Sequence, residues 1–362
     1  MFIGIFGTGR NGSSLITRLL DGLGDTYVHP VEEYFASTFN EMAENRDVGR
    51  LVMQNCTTKP LLQIQGGVDA KRLRSFCVRN IDALARDYVE HCKQLPVKPQ
   101  LNIAAILPRD SYGLSGYMHD YLDGIAKAVR PDLSITNFAF KTIETPYIAD
   151  YSHAIPNMRF IHIIRDPIAV CSSQKRSLME NKKLPASYLG YDWLSCMLVK
   201  RWIPHARYIT DHVSDTAHLT VRYEDLVVAP QQEITRIARW LGLSPPARPD
   251  RQTIFCDLDM DSWGFNPSKK GVATPTNVVP NLQAINQYDV ILTKREIDLI
   301  NSMTGVFLEP LGYTGKPVRS RAALFIQHLV PDKWEIMHCK GPRAWLRALV
   351  GMLYRRLLIV LS

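Results

Sequence analysis

The sequence lacks the features that mark several large classes of protein. Its seven cysteines are scattered singly and never occur as C-x-x-C. This argues against a disulfide framework and against a cysteine zinc site, and it favours free thiols. There is no internal repeat and no low-complexity segment. There is also no aromatic-interleaved basic stripe, zinc-finger spacing or basic heptad run, which disfavours nucleic acid as a partner.

What is present is the composition of an ordinary globular protein with a basic bias. The 362 residues are 46% hydrophobic and 22% charged, so a sizeable core is expected and wholesale disorder is excluded. The net charge of +8 favours an anionic partner: nucleic acid, anionic lipid or a multiply phosphorylated small molecule. The apolar start at Phe2–Phe6 is too short for a signal-peptide core, so a cytoplasmic location is predicted.

Strand and helix patterns alternate along the chain. Short apolar runs predict strands at Phe2–Phe6, Thr26–His29, Asn137–Lys141, Phe160–Arg165 and His218–Arg222. Helices are predicted at Ser13–Leu23, Lys71–Cys92, Ile168–Met179 and Gln231–Leu241, with a weak strand candidate at Asn102–Leu107. This alternation predicts the α/β class, with a central parallel sheet in a three-layer α/β/α arrangement. The glycine-rich loop and the family resemblance described below add the expectation of a P-loop-like nucleotide-binding core.

Two segments lie outside that alternation. Helical patterns dominate residues 36–130, which we interpret as an insertion in an α/β domain covering residues 1–315. Residues 316–362 form a predicted helical tail, whose segment 344–361 mixes apolar residues with arginines. That segment is too short and too charged to span a bilayer, which takes about 20 apolar residues. Two interpretations stay open: a helix docked on the core or a partner subunit, or a helix lying in a membrane surface.

The glycine-rich segment Gly7–Ser14 follows the first predicted strand and opens a helix. Such a turn points backbone N–H groups and the positive end of the helix dipole at one place, which suits an anion. Three templates compete for it: the dinucleotide pattern G-x-G-x-x-G with Glu32 as the ribose acid, the ATP-binding P-loop, and Arg-x-Gly-Ser-Ser. Ser13 occupies the position where the P-loop needs lysine, which weakens the second template.

Four segments occur in order along the chain: the glycine-rich loop, Arg165-Asp166-Pro167 after a strand, Tyr223–Leu226 after another strand, and Ser268–Gly271. Together they give the chain a resemblance to the sulfotransferases that use 3'-phosphoadenosine 5'-phosphosulfate (PAPS), in their carbohydrate-type or bacterial trehalose-type branch. Thr8–Leu15 resembles that family's 5'-phosphosulfate loop, which implies binding by Gly9, Arg10, Asn11, Gly12, Ser13 and Ser14. The segment Phe160–Ser173, with Arg165-Asp166-Pro167 after a strand and Ser173 in the next helix, is similar to its 3'-phosphate element. An arginine and a hydroxyl placed so can converge on one phosphate.

The other two segments carry the rest of the resemblance. Leu219–Leu226 resembles a strand followed by Tyr-Glu-Asp-Leu, which implies that Tyr223 lies near the adenine. Ser268–Gly271 resembles a late Arg-Lys-Gly loop, which implies phosphate contacts from Lys269, Lys270 and Gly271. Lysine at 269 keeps the charge of the family arginine but loses its bidentate geometry.

The resemblance also implies a mechanism, with PAPS as co-substrate and no metal. Arg10 neutralises the departing phosphate oxygen, and Lys141 at a strand end assists beside the sulfate. The family places its general base differently from branch to branch, so Glu33, Glu32 and His29 all stay open, with Glu33 preferred. The expected acceptor is a hydroxyl or amine of a sugar, lipid or small metabolite.

Two rival functions stay open from sequence. One is a nucleotide-dependent kinase or NTPase on the same sheet, with Asp166 as the magnesium ligand. The other is a catalytically silent protein that keeps the fold and docks on membranes through its tail.

Overall fold

A computed structural model describes residues 1–20, 25–32, 114–129, 134–181, 197–245 and 291–314, with single positions between them and in 341–353. The predicted elements Lys71–Cys92 and Asn102–Leu107 and the loop Ser268–Gly271 lie outside the described residues. The chain divides into two compact units. The first holds residues 1–7, 12–163 and 215–280, and the second holds residues 8–11, 164–214 and 281–362. The predicted boundary at residue 315 stays a prediction.

The helices and strands follow each other in the predicted alternation. The strands are β1 Phe2–Phe6, β2 Thr26–Glu32, β3 Asn137–Thr142, β4 Arg159–Ile164 and β5 His218–Arg222. The helices are α1 Ser13–Leu20, α2 Leu114–Val129, α3 Ile148–Ala154, α4 Pro167–Asn181, α5 Ile203–Asp211, α6 Tyr223–Val228, α7 Pro230–Leu241 and α8 Lys294–Leu308. A π-helical turn at Leu198–Trp202 leads into α5. Helix α1 ends before the predicted Leu23, because the following Asp21-Gly22-Leu23-Gly24 contains two glycines, which are poor helix formers.

The five predicted strands form one parallel sheet in the order β2-β3-β1-β4-β5. Strand β1 lies at its centre, with Ile5 opposite Lys141 of β3 and Ile161 of β4. Because β1 is parallel to β3 and to β4, the loops after these three strands all leave the same edge of the sheet. The predicted α/β fold with a central parallel sheet is confirmed.

One face of the sheet is aliphatic. Alternate residues of the strands point to this face, where they pack against α1 and α7; the cluster includes Ile3, Ile5, Val28, Ala139, Ile161, Ile163, Ile16, Leu20, Ile234, Ile237 and Leu241, all buried. Helix α7 presents Ile234, Ile237 and Leu241 at helical spacing, and Gly242 ends it in the left-handed conformation (φ 74°).

The opposite face is aromatic. The rings of Phe6 and Phe140 each lie 5.6 Å from the ring of Tyr151 on α3, and His119 of α2 contacts Phe138 at 5.6 Å. Gly4 lies on this face in the middle of β1, where an added Cβ would come within 2.3 Å of the Met158 side chain. Helices thus cover both faces of the sheet, as predicted.

The second unit has its own core of helical residues around Trp202, which is fully buried among side chains of α4, α5 and α8. A buried ion pair joins two of these helices: Lys175 Nζ of α4 lies 2.7 Å from both carboxylate oxygens of Glu296 on α8. Glu296 also accepts the backbone N–H of Thr293 at 2.7 Å and so caps the start of α8.

We expect Lys175→Met to lower the free energy of unfolding by about 3–5 kcal/mol, because it leaves the Glu296 carboxylate buried without its ammonium. The two side chains are only 5% and 6% exposed, so water cannot replace the lost partner. Urea unfolding followed by circular dichroism measures the change. The matched control is Glu233→Gln, which breaks the more exposed pair with Arg236 and should cost less than about 1 kcal/mol. Equal losses in the two variants would contradict the interpretation.

Candidate functional site

The loop between β1 and α1 has an unusual backbone. Gly9, Arg10 and Gly12 all have positive φ, at 73°, 59° and 97°, and Arg10 is the one non-glycine residue with positive φ in the described part of the chain. A side chain held in the left-handed region is strained, and such strain concentrates at ligand sites. Helix α1 starts directly after this loop, so the positive end of its dipole lies at the loop, where an anion is favoured.

Three of the predicted phosphate ligands meet in the second unit. Arg10 Nε donates to Ser173 Oγ at 3.2 Å, and Arg165 Nη1 donates to the backbone carbonyl of Arg10 at 3.0 Å. Arg165 itself is buried, and its own carbonyl accepts the indole N–H of Trp202 at 3.0 Å. Two guanidinium groups and one hydroxyl are therefore held together, an arrangement that suits an oxyanion with several oxygens.

Asp166 caps the start of helix α4. Its Oδ1 accepts the backbone N–H groups of Ile168 and Ala169 at 2.7 and 3.1 Å. The cap fixes the start of the helix that carries Ser173. A carboxylate engaged in this way does not suit the magnesium role that the kinase interpretation needs.

Arg201 was not singled out from the sequence, yet it lies beside the same loop. An added Cβ on Gly9 would come 3.6 Å from Arg201 Nη1, so this guanidinium faces the loop across the missing side chain. Arg201 belongs to the π-helical turn at Leu198–Trp202. No spacing in the sequence marks it, because its approach to residue 9 depends on the packing of Trp202.

In the first unit, Lys141 reaches the start of α1. Lys141 Nζ donates to Ser14 Oγ at 3.0 Å, and the end of β3 is fixed beside the loop by the hydrogen bond from Gly7 N–H to Thr142 O at 3.2 Å. The predicted ligands Lys141 and Ser14 are thus neighbours. Ser13 opens α1 beside Ser14.

Tyr223 lies against Gly12. It is the first residue of α6, immediately after β5, and an added Cβ on Gly12 would come 2.2 Å from its Cδ2. The ring therefore occupies the space that any other residue at position 12 would fill. Its predicted contact with adenine stays a prediction.

The three candidate bases differ in their surroundings. His29 is buried, and its Nδ1 lies 3.2 Å from the Tyr27 hydroxyl. Glu32 is the last residue of β2, where its backbone pairs with that of Lys141. Glu33 lies outside the described residues, as do Lys269, Lys270 and Gly271.

A buried pair that the sequence did not reveal holds the chain just after the candidate bases. The backbone N–H of Ala36 contacts both the Tyr151 hydroxyl at 3.0 Å and Glu144 Oε2 at 3.3 Å, and the hydroxyl donates to the same carboxylate at 2.5 Å. Ala36 is three residues after Glu33. Glu144 follows Lys141 by three residues. The hydrogen bonds of Glu144 and Tyr151 to Ala36 therefore connect the chain after β3 with the chain after β2.

Comparison with known proteins assigns the family. A family model described as "Sulfotransferase family" matches residues 3–246, which include β1 to β5 and the loop. The chain belongs to the sulfotransferase family. Membership implies an enzyme of the sulfuryl-transfer class. No curated protein sequence is significantly similar to this sulfotransferase.

Solved structures similar to this sulfotransferase carry the same family name. The sulfotransferase domain from the curacin biosynthetic pathway has 16% identity and a TM-score of 0.49, covering 87% of this chain and 98% of its own. The sulfotransferase domain of the Synechococcus PCC 7002 olefin synthase has 18% identity and a TM-score of 0.43, covering 81% and 88%. Sulfotransferase STF9 from Mycobacterium avium has 15% identity and a TM-score of 0.35, covering 71% and 66%. The family assignment rests on the family model alone.

We expect Gly12→Ala to destabilise this sulfotransferase clearly more than Gly242→Ala. Both glycines have positive φ, so backbone strain lowers the free energy of unfolding of both variants by about 1–2 kcal/mol. Only at Gly12 must the new methyl group also displace the ring of Tyr223, whereas no atom of the described residues lies within 4 Å of the Cβ position at Gly242. Urea unfolding of the two variants measures the difference. Equal destabilisation would contradict the packing of Tyr223 on the loop.

Proposed function

We propose that this sulfotransferase moves the sulfuryl group of PAPS to a hydroxyl or amine of an acceptor. The observation that carries the proposal is the convergence of Arg10, Arg165 and Ser173. These residues are distant in sequence, yet hydrogen bonds connect all three of them at the glycine-rich loop. Guanidinium and hydroxyl groups are suited to phosphate oxygens, and a donor with a 3'-phosphate and a 5'-phosphosulfate carries such oxygens at both ends.

In the proposed reaction the protein mainly stabilises charge and accepts a proton. The acceptor oxygen or nitrogen attacks the sulfur while the bond from sulfur to the bridging phosphate oxygen breaks, and negative charge grows on that oxygen. In our assignment Arg10 and the backbone N–H groups of Gly12 to Ser14 stabilise this charge, and Lys141 faces the sulfuryl oxygens. The acceptor proton passes to a base, for which Glu33 is the first candidate, ahead of Glu32 and His29.

Arg165 and Ser173 are assigned to the 3'-phosphate. Arg165 comes directly after β4, and Ser173 is on α4, whose start Asp166 caps. By resemblance to the family, we assign four further residues to the same nucleotide: Tyr223, Lys269, Lys270 and Gly271.

The kinase or NTPase alternative receives less support. Ser13 stands where a P-loop lysine would contact the terminal phosphates, and the Asp166 carboxylate is engaged at the start of α4. The alternative predicts that ATP with magnesium binds better than 3'-phosphoadenosine 5'-phosphate (PAP). Our proposal predicts the reverse, and without magnesium.

Calorimetric titration with PAP and with 5'-AMP tests the phosphate assignments. Arg165→Met should weaken PAP binding by about tenfold more than it weakens 5'-AMP binding. Both ligands lose the loop conformation that the hydrogen bond from Arg165 to the Arg10 carbonyl maintains, but only PAP also loses a contact to its 3'-phosphate. The matched control is Arg159→Met at the other end of β4, where the arginine donates to the Thr216 carbonyl. It should leave both affinities unchanged. Equal losses for PAP and 5'-AMP in Arg165→Met would contradict the assignment.

Transfer from radiolabelled PAPS to a panel of sugar, lipid and small-metabolite acceptors tests the base. We expect Glu33→Gln to lower kcat by about 100-fold or more while PAP still binds normally, because a general base contributes rate and not donor affinity. Glu32→Gln and His29→Gln are the companion variants. Near-full transfer by Glu33→Gln would move the role to one of those two residues.

A further inference from the structure

The π-helical turn at Leu198–Trp202 brings Arg201 to the glycine-rich loop. An added Cβ on Gly9 would lie 3.6 Å from Arg201 Nη1. Apart from the two chain neighbours of Gly9, no other atom of the described residues lies within 4 Å of that Cβ position, so the guanidinium borders open space beside the loop. Arg10 and Arg165, which a hydrogen bond connects at the same loop, belong to the same compact unit as Arg201.

Buried neighbours fix the turn that carries Arg201. The side chains of Leu198 and Trp202 are fully buried, and the Trp202 indole N–H donates to the Arg165 carbonyl at 3.0 Å. Arg201 is therefore next in sequence to a residue that already supports the candidate site. Turns of the π-helical kind are rare and are frequently found at functional sites.

The Arg201 guanidinium has N–H donors to offer a ligand. The residue is half-buried, and within the part of the chain that the structure describes it makes no hydrogen bond and no ion pair. Two carboxylates of the same unit are engaged elsewhere: Asp166 at the start of α4 and Glu296 with Lys175. A guanidinium carries five N–H donors, and its charge is costly to remove from water without a partner. These properties favour an anion with several oxygens next to Gly9.

We propose that Arg201 binds the 5'-phosphate end of the donor nucleotide. The proposal rests on the proposed function, in which Arg165 and Ser173 bind the 3'-phosphate and the glycine-rich loop binds the 5' end. Arg201 faces that loop at Gly9, whereas Ser173 lies on α4. The planar fork of a guanidinium can contact two phosphate oxygens at once, which a backbone N–H group cannot. Arg201 is thus a donor-binding residue in addition to those that the family resemblance implies.

Calorimetric titration with PAP and with adenosine 3'-monophosphate (3'-AMP) tests the proposal, because the two ligands differ only in the 5'-phosphate. We expect Arg201→Met to weaken PAP binding by about tenfold more than it weakens 3'-AMP binding. Retained 3'-AMP binding also shows that the variant is folded. Arg201→Gln removes the charge but keeps a polar side chain, so it should show the same difference and decides the test if Arg201→Met does not fold.

The matched control is Arg207→Met. Arg207 lies on α5, and its guanidinium is over the ring of Phe307, 6.0 Å from the ring centroid. This variant should bind both ligands like the unaltered protein. Equal losses for PAP and 3'-AMP, or an unchanged PAP affinity, in the Arg201 variants overturn the assignment of Arg201 alone. If the unaltered protein does not bind PAP, the proposed function itself is overturned, so the two failures are distinguishable.

Discussion

The hydrogen bond from the Arg165 guanidinium to the carbonyl oxygen of Arg10 is the contact on which the rest of the candidate site depends. It fixes the peptide of the loop at Arg10, the residue whose left-handed backbone is least favourable, and it places the Arg165 guanidinium beside that peptide. Trp202 in turn fixes the backbone of Arg165 through its indole N–H. The loop conformation is thus maintained by the second unit's core, and a hydroxyl on α4 completes the cluster.

A strained loop held open by arginines favours anions over other ligands. Hydrogen bonds from guanidinium groups to phosphate oxygens are short and charge-assisted, so a doubly phosphorylated nucleotide gains from each of them. The same loop without a lysine at position 13 is poorly suited to the terminal phosphates of ATP. The sulfotransferase family assignment and the local geometry therefore point to the same chemistry from separate observations.

The fold followed from the sequence because its signals are local. Each strand is a short apolar run in which neighbouring residues are apolar on both sides, as with Ile5 and Phe6, and such a run indicates a strand covered on both faces. Arg10, Arg165 and Ser173 could also be singled out, because the segments that contain them resemble those of the sulfotransferase family. Arg201, the Glu144–Tyr151 pair at Ala36 and the Lys175–Glu296 pair could not. Each of these contacts joins elements far apart in the chain. No sequence pattern at either residue indicates which partner it contacts.

The central claim is that Arg165 and Ser173 bind the 3'-phosphate of the donor nucleotide while Arg10 serves its 5' end. A crystal structure of the complex with PAP tests it most directly. The account predicts the 3'-phosphate within hydrogen-bonding distance of the Arg165 guanidinium and the Ser173 hydroxyl, with the 5'-phosphate at the N–H groups that open α1. A nucleotide bound elsewhere, or one whose 3'-phosphate points to solvent, would contradict it.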